Sequence, residues 1–484
     1  MPSRLLGAIG PTRQKNGRAD IEVVDVPEGI SLTREDSCQR CREGPDGRES
    51  GDVSHVARVW PRRCRVAITV TALALTSCSD GSSDRINERD AAQTPVPSSP
   101  VESSTTAAAA PASAGAVETD GVRPPAGAAI DDVTAAVETS LDTEAGVATL
   151  AERMAELSVP GVAVAVVRDG VVFGSFASGV TPGGRPMTTS TLTQVGSVSK
   201  TVAAVGAMRM VADGKLPWDD DITPSLDSYT LPPGAQSGDH PVTLAGLLSH
   251  TAGTNVHGFP GYQSATQAPT LPEVLAGQGN TEAVRVVTEP GTRFDYSGGG
   301  YELVEQAMLD VSGASDFDTL MRELVFEPAG MVDSRYLLDL PADVAARATP
   351  GSINGEQLPQ RWQAHPESAA AGLWTTADDL GRFLAALTAS MSGVDEALLP
   401  TAWTQRMITG VKPAGNGVQI GHGLFVLAEG QEFGHGGVNL GYNASIAGTV
   451  DGGFAVAVVT NSDPGGITLA EEVTDTIAMT MGWR

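Results

Sequence analysis

Gly196-Ser197-Val198-Ser199-Lys200 places a hydroxyl and an amine three residues apart. On a helix that spacing puts both side chains on one face, so Ser197 and Lys200 can meet. At a helix start, Ser197 would also sit among unpaired N–H groups and the positive end of the helix dipole, which favour a developing negative charge. A desolvated lysine beside a serine can take its proton and leave an activated nucleophile. Ser-x-x-Lys alone is a common pattern. The chain, however, has only four lysines, Lys15, Lys200, Lys215 and Lys412, and only Lys200 follows a serine by three residues.

Other hydrolase signatures are missing. No serine has glycine two residues away on both sides, as a nucleophile elbow requires. There is no His-Glu-x-x-His metal motif and no phosphate-binding glycine loop. The four cysteines, Cys38, Cys41, Cys64 and Cys78, all lie in the first sixth of the chain, so the remainder uses neither disulfides nor a cysteine nucleophile. Cys38 and Cys41 have no second pair that would complete a zinc site.

Two further segments join the first in order. Pro290 to Tyr301 contains Tyr296-Ser297-Gly298-Gly299-Gly300, and Phe433-Gly434-His435-Gly436-Gly437 comes much later. Together with Val159-Pro160-Gly161, Leu247 to Gly253 and Ala371 to Asp378, this set resembles the class C β-lactamase, serine D-alanyl-D-alanine peptidase and family VIII esterase superfamily over residues 135–484. The resemblance implies that Ser197 attacks a carbonyl and is acylated, that Lys200 assists its deprotonation, and that Tyr296 passes a proton to the leaving group. It further implies that His435 and Gly437 form the third, substrate-facing motif. The N–H groups of Ser197 and Val438 would make an oxyanion hole. No cofactor and no metal enter. Implied substrates are a small ester, a D-amino-acid peptide or a β-lactam. The family tyrosine motif reads Tyr-x-Asn, where this chain has Gly298; losing that amide weakens amide and β-lactam turnover more than ester hydrolysis. The same residues leave a second function open, a catalytically weak penicillin-binding-like module that binds cell wall.

His250, Trp362, Trp374, Met208 and Met210 read as core or pocket wall, and Gly298 to Gly300 as turn residues. The elements that must position the site are legible around them. Gly161–Val167 and Val171–Phe176 flank Arg168-Asp169-Gly170 as a hairpin. Ala444–Val450 and Phe454–Thr460 form a second, around Asp451-Gly452-Gly453. Helical patterns cover Val198–Asp213, Thr376–Leu387, a stretch near Tyr301–Val311, and Ile467 to Met481. Strands at both ends of a helical middle predict an α+β fold, with one antiparallel sheet built from both termini of the domain. A β-lactamase/transpeptidase-like sheet with a helical subdomain is what the resemblance also implies.

Charge bounds the partners. The net charge is −27, and beyond residue 77 there are 48 Asp and Glu against 19 Lys and Arg. Such a body repels phosphate backbones, which excludes nucleic acid. Residues 1–57 show no periodicity and are assigned no fold. Arg58 to Arg65 precede a 12-residue apolar run, Val66 to Ser77, ending in Leu75-Thr76-Ser77-Cys78. A basic flank, a short apolar run and small residues predict a lipoprotein-type signal peptide over 58–77, with cleavage and acylation at Cys78. Its distance from residue 1 is explained if translation starts at Val53, Val56 or Val59. Residues 78–130 are rich in Ser, Ala and Pro and predict a disordered tether of roughly 40 Å root-mean-square span. It would join a membrane lipid anchor to a hydrolase domain over 131–484. Export to the outer face of a bacterial cytoplasmic membrane is the expectation; the sequence is silent on oligomeric state.

Overall fold

The computed structural model describes residues 129–484. The signal segment, Cys78, and the tether up to residue 128 lie outside the described residues, as does everything assigned to 1–57. No helix among the described residues is long and apolar enough to cross a membrane.

Eight strands make the main sheet: β1 (Gly161–Arg168), β2 (Val171–Gly179), β3 (Lys412–Gly415), β4 (Val418–Ile420), β5 (Phe425–Leu427), β6 (Glu432–Asn439), β7 (Tyr442–Thr449) and β8 (Phe454–Thr460). They run antiparallel in the order β2-β1-β8-β7-β6-β5-β4-β3. The β1–β8 pairing joins the two ends of the domain, as the strand signals at both ends of the helical middle predict. Asp169 and Gly170 both have positive φ, 51° and 73°, the type I′ geometry that suits a two-residue hairpin loop. The strands β3 to β5 are not expected from the sequence. They are three or four residues long, two of them read as mixed polar stretches, and pairing in series outward from β6 supplies the order their own pattern lacks.

Both sheet faces are covered, which is why β1 reads as an unbroken apolar run. Val162, Val164 and Val166 point to one side, where α1 (Ile130–Thr139) and the last helix, α6 (Gly465–Met481), pack with Leu469, Val473 and Ile477. Ala163 and Val167 point to the other, toward α2 (Val198–Ala212), α3 (Gly298–Ser312), α4 (Ser368–Ala371) and α5 (Ala377–Ser392). Each fully buried Val or Leu is worth roughly 1.5–3 kcal/mol. The α5 helix begins where Thr376 accepts the Asp379 N–H at 3.0 Å. In α2, 12 of 15 residues are buried. A helix enclosed on all sides holds its side chains in place, and its first turn carries Ser197 and Lys200.

Candidate active site

The start of α2 presses directly on β6. Gly196 has φ +48°, and a Cβ there would lie 2.5 Å from the Val438 nitrogen; one on Gly437 would lie 1.9 Å from the Val195 carbonyl oxygen. Two missing side chains therefore let helix and strand backbones meet. β5 pairs with β6 only as far as Gly434, leaving the edge from His435 onward open to the start of α2. The loop between β6 and β7 is the two residues Leu440 and Gly441, so Asn439 and Tyr442 close the ladder as a hydrogen-bonded pair. Alternation then turns the Val438 N–H toward the open edge, beside the N–H that Ser197 contributes as cap of α2. The two donors expected to form an oxyanion hole face one space.

Lys200 Nζ lies 3.1 Å from Ser197 Oγ and donates to the Ala370 carbonyl at 2.8 Å. Lys200 is 2% exposed and Ser197 half-buried, so the contact is closed on the lysine side and open on the serine side. Tyr296 lies beside it, with its ring centre 5.1 Å from Nζ and its buried hydroxyl without a hydrogen-bond partner. A buried polar group held without a partner is poised for one a ligand brings. The tyrosine is fixed from both sides. His250, in left-handed backbone (φ 54°), stacks on it at 4.3 Å between ring centres and accepts the Ser297 N–H at 3.1 Å through Nδ1. His257 bonds the Tyr296 carbonyl through Nδ1. Burial first, and the nearby Lys200 second, hold His250 well below its ordinary pKa, so it stays neutral. His250 thus sits in the site as a support for the tyrosine loop.

His435 lies on the open edge of β6, 6.4 Å from the Tyr296 ring between centres. Its Nδ1 is 2.7 Å from the Gly436 carbonyl oxygen, which can only accept, so Nδ1 carries the proton. Nε2 is then a bare acceptor, buried and without a partner. Burial, and then Lys200, push the ring down to about 4.

Gly298 to Gly300 are not turn residues. They form the first turn of α3, which starts three residues before the expected stretch because Ser297 caps it, accepting the Gly300 N–H at 3.0 Å and donating to the Asn255 carbonyl at 2.6 Å. Their lack of side chains answers crowding: a Cβ at 298 would meet the Phe259 ring at 2.8 Å, and one at 299 the Asn255 carbonyl at 2.9 Å. Phe259 stands where the amide of a Tyr-x-Asn motif would begin. Trp374 and Trp362 pack on each other at 5.3 Å between centres, and Met208 and Met210 are buried in the helical core, all as walls. Among the described residues, no group of three or more His, Cys, Asp or Glu is arranged to hold a metal ion.

Several residues of the site escape sequence reading. Ser199 Oγ accepts the Leu373 N–H at 3.1 Å, and Asn439 Nδ2 donates to the Ala371 carbonyl at 3.0 Å, clamping the α4 segment that faces Lys200. Glu302 and Glu305 are buried against the same segment. Their signal was present: two acids on a helix whose other early residues are Tyr301, Leu303, Val304, Ala307 and Met308 break an apolar face.

A sequence model of the Beta-lactamase family matches residues 147–474. The chain belongs to the Beta-lactamase family. The relatives of this family member include a protein of Mycobacterium tuberculosis, 29% identical over 226 residues, which are 42% of this chain and 55% of that protein. The chain thus spans about half the length of that relative. Esterase EstB of Burkholderia gladioli is 26% identical over 306 residues, 56% of this chain and 76% of the esterase. Among solved structures, the octameric penicillin-binding protein homologue from Pyrococcus abyssi is 25% identical, with a TM-score of 0.56 over 69% of this chain and 76% of that one. The D-amino acid amidase of Ochrobactrum anthropi, 22% identical, shares the fold with a TM-score of 0.58 over 72% and 98% of the two chains. The fold is therefore the β-lactamase/transpeptidase-like α+β fold that the sequence leads one to expect.

Proposed function

We propose that this Beta-lactamase family member is an exported serine hydrolase that works through a Ser197 acyl-enzyme and prefers esters to amides and β-lactams. The observation that carries the reading is the 3.1 Å contact between the buried Lys200 Nζ and Ser197 Oγ at the start of α2. Lys200 takes the hydroxyl proton as Oγ forms its bond to the substrate carbonyl carbon. The carbonyl oxygen becomes an oxyanion between the N–H groups of Ser197 and Val438. Tyr296 hands a proton to the departing alkoxide as the ester C–O bond breaks, and water entering by the reverse route frees the acid.

Two features support the ester preference. A neutral His435 with a bare Nε2 offers no charge to the carboxylate of a β-lactam; it accepts a hydrogen bond instead. Gly298 supplies no amide to hold a substrate amide, and Phe259 fills that space. The likeness to esterase EstB points the same way. Export and anchoring rest on the basic-apolar segment 58–77 and Cys78 and remain part of this proposal. The test is a turnover panel on the full chain. Short-chain p-nitrophenyl esters should be hydrolysed with kcat/KM above that for nitrocefin or D-alanyl peptides, and a fluorescent phosphonate should label Ser197. Faster nitrocefin turnover would overturn the preference, and labelling at another serine would overturn the nucleophile. Mass spectrometry of processed cells should find an acylated Cys78 terminus rather than an intact Ser77–Cys78 peptide.

A further inference from the structure

Behind Lys200 lies a group of ionisable side chains that the reaction above does not use. Glu302 and Glu305, about one turn apart on α3, reach the single-turn helix α4. Glu302 Oε1 accepts the Ala370 N–H at 3.1 Å, and Glu305 Oε2 accepts the Ala369 N–H at 2.7 Å. The carbonyl of the same Ala370 accepts from Lys200 Nζ at 2.8 Å. One residue's backbone therefore carries Glu302 on its donor side and the lysine on its acceptor side. Burying two carboxyls costs far more than capping one helical turn with a serine or threonine, so a purely structural cap does not account for them.

We propose that Glu302 and Glu305 are a positioning pair for the nucleophile, fixing the Ala369–Ala370 backbone so that the Ala370 carbonyl holds Lys200 Nζ against Ser197. This rests on the Ser197 acyl-enzyme reading. The pair acts uncharged. Burial first raises Glu302 well above the usual carboxylate range and Glu305 to about 8, and Glu367 alongside is raised to about 8 in the same way. Around them, Tyr336 and Tyr301 are buried phenols pushed further up, and His365 is pushed down to about 4 by burial. Lys200 is thus the group able to carry positive charge beside the cluster. Ionising a carboxyl behind it holds a proton on the amine and opposes the transfer from Ser197.

The test uses the full chain, p-nitrophenyl butyrate turnover and the rate of phosphonate labelling at Ser197, each from pH 6 to pH 10. Glu302→Leu removes the acceptor, and kcat and the labelling rate should fall about 10- to 100-fold with KM changed less than about 3-fold. Glu302→Gln/Glu305→Gln keeps both acceptors but cannot ionise. It should match the wild type within about 3-fold at pH 7 and hold its activity above pH 8, where the wild type declines. Wild-type rates in Glu302→Leu, or a double glutamine variant that shows the wild-type alkaline decline, would overturn the proposal. Should Glu302→Leu melt at room temperature, the pH profile of the glutamine pair decides alone. Labelling that survives Ser197→Ala defeats the acyl-enzyme reading itself, a result distinct from wild-type labelling that ignores Glu302.

Discussion

The two faces of the main sheet are built to different ends. On the α1 and α6 side the core is apolar, from Val133 and Val137 through Val164 and Val458 to Ile477 and Met481, and the buried Glu472 of α6 is paired with Arg153 at 2.8 Å. On the other side the core closes around Lys200, Glu302, Glu305, Glu367, His250, His365 and His435, all buried. Apolar burial stabilises without further conditions, whereas a buried ionisable group destabilises unless a partner or a proton compensates. Buried ionisable groups thus gather chiefly on the face that carries Lys200.

The comparison breaks first at the nucleophile. Ser197→Ala should lower ester turnover at least ~10³-fold while leaving the thermal midpoint unchanged or raised, read by kinetics and calorimetry together. Loss of folding along with activity would mean that the two faces are not so divided. On the opposite face, Leu469→Ala should cost about 2–5 kcal/mol in urea unfolding, with kcat per folded molecule unaltered. A kcat change there would show that the apolar face also tunes the site.

A pH series sharpens the contrast. The Glu305 carboxyl is held near 8 in the folded chain against an ordinary 4.5. Across that window the folded state keeps a proton that the unfolded state has released, so stability falls as pH rises toward 8, by roughly 1.4 kcal/mol per unit for each such group. His365, pushed down to about 4 from 6.5, acts oppositely by weakening the fold as pH falls below 6.5. The clean interval is therefore pH 6.5 to 8. Glu305→Gln should lessen the slope there by about 1.4 kcal/mol per pH unit, with Glu302 and Glu367 keeping the remainder, and a slope unchanged by the substitution would place the proton elsewhere. The smallest effect concerns Phe259. Gly298→Asn alone should cost about 1–3 kcal/mol through overpacking and gain no amide turnover. Adding Phe259→Ala should relieve the clash and raise the ratio of amide to ester hydrolysis, measured as kcat/KM on matched p-nitroanilide and p-nitrophenyl substrates.

Much of this fold and site is legible in the sequence alone. Ser197 and Lys200 stand out because lysine is scarce, and the terminal hairpins stand out because Asp169-Gly170 and Asp451-Gly452-Gly453 separate β-branched runs. Short-range spacing fixes such features. What it hides is anything that depends on approach between distant segments. The strands β3 to β5 gain order by pairing in series outward from β6, and Gly298 to Gly300 look like a turn until Phe259 and Asn255 are brought against them. Ala370 carries no chemistry in its side chain; its role comes from a carbonyl that only the tertiary fold aims at Lys200.

Gly196 and Gly437 have a consequence for how this chain can vary. A side chain at either would drive the start of α2 away from β6 and widen the gap between the Ser197 and Val438 N–H groups. Every single-nucleotide change that replaces a glycine codon with another amino acid introduces a Cβ. Both positions are therefore closed to stepwise drift, while glycines in open space, such as Gly184 and Gly214, face only the strain of positive φ. Random mutagenesis under selection for ester hydrolysis should leave 196 and 437 untouched long after 184 and 214 have begun to accept aspartate, which tolerates left-handed backbone and lies one nucleotide from a glycine codon.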